Sequence, residues 1–243
     1  MTDAAPRPWG RLSGSTLKLF AVIVMLIDHI GLHVIAHLPV GSILLFSIGS
    51  YQFTVVEAFR FVGRSAFPIF CFLIAEGAAH THSRLKYGIN LFLFALISEI
   101  PWNLIHTGNL QYEKQNVFFT LFMGYLCICL YERLRAEPWL CVILLGIMAL
   151  YADVWLKADY GVIGMGAVFL FYLLRTRPIA LGVLGTCFLS AKWKAFPAYL
   201  LIGLYNGERG FIRGKFVKYL FYAFYPVHIL LLWYVKYHVL HAS

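Results

Sequence analysis

A chain of 243 residues that is 61% hydrophobic and only 13% charged carries more apolar surface than a soluble core of that size can hide, which excludes an ordinary soluble enzyme. Its formal net charge of +9 is spread in short basic pairs between apolar runs instead of forming one stripe, which points to membrane topology and anionic headgroups and excludes nucleic acid as a partner. All five cysteines fall inside apolar runs, without the loop spacing of a disulfide frame or a CxxC pair, and are expected as core residues.

Residues 1–16 are polar and basic and are expected to form a cytoplasmic N-terminal segment. The apolar run behind them ends in Asp28-His29 without a small-residue cleavage pattern, so it reads as a retained helix and not a signal peptide. Apolar runs broken by charge, proline or glycine predict nine spans near 17–37, 54–79, 87–107, 117–132, 138–152, 160–174, 178–191, 195–206 and 217–238. Some are short or re-entrant, and together they predict an all-α, polytopic transmembrane helix bundle, one domain over 17–240.

Basic residues alternate along the connections. Arg7, Arg11 and Lys18 precede the first span; Arg84 and Lys86 follow the second, Arg133 and Arg135 the fourth, and Arg175 and Arg177 the sixth. Arg209, Arg213, Lys215 and Lys218 follow the eighth, while Lys192 and Lys194 break the pattern. By the positive-inside rule the N-terminus is cytoplasmic and the C-terminus lies outside.

Polar groups inside apolar spans are costly and mark cavities, so they are where function is sought. Counting from the basic end, His29 on the first span, Glu99 on the third and His228 on the last share a depth of roughly 16 to 18 Å. Asp28 lies about 100° round the helix from His29 and so needs a cation on another helix, with Arg64 the first candidate. Glu76, His80 and Arg84 recur every fourth residue on one face. His33 and His37 extend the His29 stripe towards the outer surface and are expected to be interfacial. Two helical histidines without a matched third ligand do not define a metal site. Pro226, inside the stretch KYLFYAFYPVHILLLW, frees a backbone carbonyl and bends the helix beside Tyr225 and His228.

Five ordered segments, KLFAVIVMLIDHIG (18–31), FRFVGRSAFPIFCFLIAEGAAHTHS (59–83), KYGINLFLFALISEIPWNL (86–104), NVFFTLFMGY (116–125) and GKFVKYLFYAFYPVHILLL (214–232), resemble the TraX family, whose namesake acetylates the N-terminus of a conjugative pilin. Asn90 stands about where that family often carries arginine. Lys18, ten residues and then His29 also resembles the basic-residue and histidine pattern of membrane acyltransferases that modify surface sugars.

The resemblance implies an acyltransferase of the bacterial inner membrane that moves an acetyl or short acyl group from cytoplasmic acetyl-CoA to an amine or hydroxyl. The acceptor would be a pilin-like protein, as in conjugation, or a glycan. His29 is expected as general base, with Asp28, Arg64, Glu99, Tyr225 and His228 around it. Lys18, Glu76, His80, Arg84, Lys86, Lys215 and Lys218 are expected at the acetyl-CoA mouth. No metal is called for, and homo-oligomer formation stays open. A proton-coupled transporter and a non-catalytic assembly subunit are the alternatives.

Overall fold

The computed structural model describes residues 10–188, 195–212 and 214–241. The segment before residue 10, with Arg7, and Lys192, Lys194 and Arg213 lie outside the described residues, as does the Cys187 side chain. Among the described residues there are ten α-helices.

The first, α1 (Gly14–His33), starts where the Ser13 hydroxyl accepts the Thr16 backbone N–H, and its twenty residues extend about 30 Å. Two short 3-10 turns and an antiparallel hairpin, β1 (Leu44–Ile48) and β2 (Tyr51–Thr54), then cross the far end of the bundle. This hairpin adds strands that the apolar runs do not announce.

Thr54 caps α2 (Val55–Gly63), and α3 (Ala66–His80) follows almost end to end. The predicted second span is therefore two helices. Pro68 has no N–H to donate to the Arg64 carbonyl and its ring crowds that group, so the helix breaks at Arg64 and Ser65. Next come α4 (Arg84–Thr107), capped by Ser83 and closed by left-handed Gly108 at φ 70°, and α5 (Val117–Arg133), capped by Asn116. Then follow α6 (Pro138–Leu150), α7 (Gly161–Leu174), α8 (Pro178–Phe188), α9 (Phe196–Gly203) and α10 (Lys215–Tyr234). Counting α2 and α3 as one segment, the nine predicted spans each find a helix.

Among the described residues, five stretches are long and apolar enough to cross a membrane: Gly14–His37, Val55–His80, Arg84–Thr107, Pro138–Trp155 and Lys215–Val239. Six helices close a ring, in the order α1, α3, α7, α5, α4, α10 and back to α1. Outside it, α6 leaves Trp139, Val142, Ile143 and Ile147 exposed, as a lipid-facing helix does. The α8 and α9 pair packs on α7 and α3.

Close approach seats α2 on α1. A Cβ on Gly63 would overlap the Asp28 side chain, and one on Gly31 would overlap the Phe59 side chain. Small residues at such crossings let helix backbones approach within a bilayer, where lipid tails supply no hydrophobic drive for association.

Candidate active site

Within the ring, α1, α3, α4, α5 and α10, with α2, line a cavity of about 630 Å³. On α1 its wall includes Ser15, Lys18, Val22, Met25, His29 and Leu32, in steps of three and four along one helix face, with Asp28 and His33 beside them. It therefore runs from the basic end, where α1 and α10 begin, towards the hairpin.

Among the described residues, three lysine and arginine side chains line the cavity at its basic end: Lys18, Arg209 and Lys218. Arg209 is brought there by the chain returning onto the start of α1. The Ser15 hydroxyl donates to the Arg209 carbonyl at 2.7 Å and accepts the Ile212 N–H at 2.7 Å, while the Ser15 N–H also bonds the Arg209 carbonyl. Lys18 Nζ sits 4.6 Å from the centre of the Phe221 ring, and Lys218 Nζ 5.4 Å from that of Tyr219, so aromatic faces hold both ammonium groups. All three side chains carry positive charge into one mouth, which suits a polyanion.

Deeper in the bundle, His29 meets His228. The two rings are nearly parallel, tilted by 11°, with His29 Nδ1 2.7 Å from His228 Nε2. The other ring nitrogen of His228, Nδ1, lies 2.7 Å from the Phe224 carbonyl oxygen one turn back on α10. A carbonyl only accepts, so His228 Nδ1 carries a hydrogen and, in the neutral ring, Nε2 is an acceptor. His29 Nδ1 must then donate, which leaves the lone pair of His29 on Nε2. His29 lines the cavity and His228 does not, so a backbone carbonyl sets, through two rings, which nitrogen of His29 can take a proton.

Around this pair stand Tyr225, Arg60, Arg64, Asp159, Tyr160 and Trp102, all on the cavity wall. The Tyr225 ring is 6.2 Å from that of His29, and its buried hydroxyl faces the N-terminus of α5 at Val117 without completing a hydrogen bond among the described residues. It can offer its O–H to an oxyanion.

Several expectations are corrected. Asp28 makes its ion pair with Arg60 Nη1 at 2.8 Å, one turn before Arg64, because α2 ends at Gly63 directly against Asp28. Arg64 lines the cavity from the α2–α3 break. Glu99 shares the depth of His29 but is not on the cavity wall. Its Oε2 accepts the Asn116 side-chain amide at 2.6 Å and thereby fixes the cap of α5. His33 is not interfacial: it is 5% exposed and lines the cavity.

Of the residues expected at the mouth, Lys18, Lys218, Glu76 and His80 line the cavity. His80 Nδ1 donates to the Glu76 carbonyl at 2.9 Å. Lys86, Lys215 and Arg84 do not line it: Lys86 and Lys215 are exposed, and Arg84 pairs with Glu132 at 3.5 Å. Asn90 accepts the Tyr219 hydroxyl at 3.3 Å, joining α4 to α10.

Sequence reasoning passed over Arg60, His33, His106, Asp159, Tyr160 and Arg209 as site residues. Two of them had a usable signal: Arg60, one turn from Arg64, and His33, one turn from His29 on the same stripe.

A closed ring of apolar helices around a polar, histidine-bearing cavity defines a helical membrane protein with an internal site. The chain belongs to the TraX protein family, whose sequence profile matches residues 13–236. It is also similar to the "Probable fimbrial assembly protein FimC, serogroup H1" of Dichelobacter nodosus, 29% identical over 248 aligned positions covering 90% of this chain and 94% of that protein. No solved structure matches the chain.

Proposed function

We propose that this protein is a multi-pass acyltransferase of the bacterial inner membrane. It moves an acetyl or other short acyl group from acyl-CoA to an amine or hydroxyl on an acceptor of the pilin or fimbrial subunit kind. The basic end faces the cytoplasm, as the positive-inside rule requires. The observation that carries the reading is the free Nε2 of His29, held in one tautomer by His228 and Phe224, at the inner part of a cavity whose mouth holds Lys18, Arg209 and Lys218.

The CoA phosphates bind the mouth cations and the thioester threads inward along the α1 face. His29 Nε2 takes a proton from the acceptor as its nitrogen or oxygen attacks the thioester carbonyl. Positive charge growing on His29 is shared with His228, whose own proton rests on a backbone carbonyl. In this reading Tyr225 and Arg64, both on the cavity wall, stabilise the tetrahedral oxyanion. When that intermediate collapses, the C–S bond breaks, the sulfur takes the electron pair, and a proton from His29 completes the CoA thiol.

The fimbrial assembly role in the name of the Dichelobacter nodosus relative supports a pilus subunit as acceptor over a glycan. The test is release of CoA from acetyl-CoA by the purified protein in lipid nanodiscs with glycinamide supplied as the acceptor. Wild type is expected to release it, and His29→Ala to lower the rate by about 10²- to 10⁴-fold, the usual share of a general base. A rate unchanged in His29→Ala would refute this reading.

A further inference from the structure

The reaction proposed above leaves a proton to be disposed of. An amine at neutral pH arrives as an ammonium ion. When the neutral amide forms by C–N bond formation, the C–S bond breaks and CoA leaves as a thiol, so one proton is released for every acyl group moved. A hydroxyl acceptor releases none. Inside an apolar bundle that proton needs a route to water.

From His29 a file of imidazoles leads away from the basic mouth. The His33 ring lies 6.0 Å from that of His29, and the His106 ring lies 5.5 Å from that of His33, nearly perpendicular to it at 85°. A ring rotation or one bridging water closes gaps of that size. His33 is 5% exposed and makes no hydrogen bond among the described residues, so both its nitrogens are available to neighbours. His106 Nδ1 donates to the Trp102 carbonyl at 2.8 Å, which leaves Nε2 as an acceptor turned away from its own helix. His106 sits in the last turn of α4 and stacks on Tyr112 at 4.6 Å, in the loop beyond that helix. His33 ends α1, and His29, His33 and His106 all line the same cavity.

The other charged or titratable groups facing this file are Arg60 from α2, Lys236 from the turn after α10, His37 from the turn after α1, and Lys114 from the loop before α5. Among the described residues no three His, Cys, Asp or Glu side chains converge to hold a metal.

We infer that, with an amine as acceptor, His33 and His106 carry the proton released at His29 to the face of the bundle opposite the basic mouth. The inference rests on the acyl-transfer reading of the same site. Imidazole suits this relay because one of its nitrogens can accept a proton while the other donates one.

The test uses the full-length protein in nanodiscs with acetyl-CoA as donor and glycinamide as the amine, following CoA release in the first turnover and in steady state. For His33→Ala, steady-state release is expected to fall about tenfold more than the first turnover, and added imidazole to restore it, because a small buffer in the cavity replaces the missing ring. His106→Gln reports on the same path if His33→Ala does not fold. An equal loss in both phases without rescue, or an unchanged steady-state rate, overturns the relay and leaves the acyltransferase reading standing. Absence of CoA release from wild type overturns both.

Discussion

His29 Nδ1 and His228 Nε2 stand 2.7 Å apart between the first helix and the last, and the Phe224 carbonyl decides which of them donates. Replacing His228 removes both the acceptor and the packing that orients His29. His228→Phe is therefore expected to lower the rate of acyl transfer by about 10²-fold, the cost of letting a catalytic ring shift by around 1 Å, with little change in KM for acyl-CoA. His228→Gln, whose side-chain oxygen can still accept from His29 Nδ1, is expected to recover part of that loss. Equal rates for the two variants would count against orientation as the role of His228.

The cations at the mouth lead to a different outcome. Neutralising Lys218 or Arg209 by methionine is expected to raise KM for acetyl-CoA about tenfold with kcat nearly unchanged, because these groups meet the donor's phosphates far from the reacting carbon. The effect is expected to shrink as salt rises, since exposed charges are screened. A fall in kcat at constant KM would place these cations elsewhere in the reaction.

Asp28 and Arg60 are mostly buried, with side chains 15% and 17% exposed, so breaking the pair leaves a cation stranded inside the bundle. Asp28→Asn is expected to destabilise the protein by about 3 to 5 kcal/mol, and a double replacement with Arg60→Gln by clearly less than the sum. Thermal unfolding in one detergent across the four proteins gives the coupling. Additive losses would mean that the two side chains do not act as a pair.

Gly63→Ala tests the seating of α2 on α1. The new methyl meets the Asp28 side chain, and overpacking of this kind costs about 1 to 3 kcal/mol. Gly146, on the outer helix α6, has nothing near its Cβ position, so Gly146→Ala is the matched control and is expected to leave the unfolding temperature unchanged or raised. Equal losses at the two glycines would show that the α1–α2 contact carries no special strain.

Much of the helical plan was legible because apolar run length acts locally. The caps that start helices, Ser13, Thr54 and Asn116, bond within three residues and were not read. The break at Arg64 and Ser65 was hidden because hydropathy counts Pro68 as one more apolar residue and ignores its missing N–H. Depth along a helix could be counted, so His29 and His228 were placed level with each other, and they touch. Azimuth could not. Glu99 has the same depth but turns to Asn116, and Arg60 takes Asp28 because α2 ends against it. His33 was misjudged because nothing in the apolar pattern shows that His106, at the end of α4, sets its ring against it. Arg209 comes to the mouth through Ser15, a partner 194 positions away, beyond the reach of any local pattern.

The two imidazoles are separated by 199 positions, whereas Asp28 and Arg60 are separated by only 32. At ordinary translation speeds of roughly 5 to 20 residues per second, the first histidine waits on the order of 10 to 40 s for the second to be synthesised. The acidic neighbour of His29 finds its counter-ion within the first few seconds of that interval, so the costliest charge is neutralised early while the reactive nitrogen stays unset. A half-made chain in the bilayer thereby holds an open ring, and His29 gains its partner only when the final helix closes it.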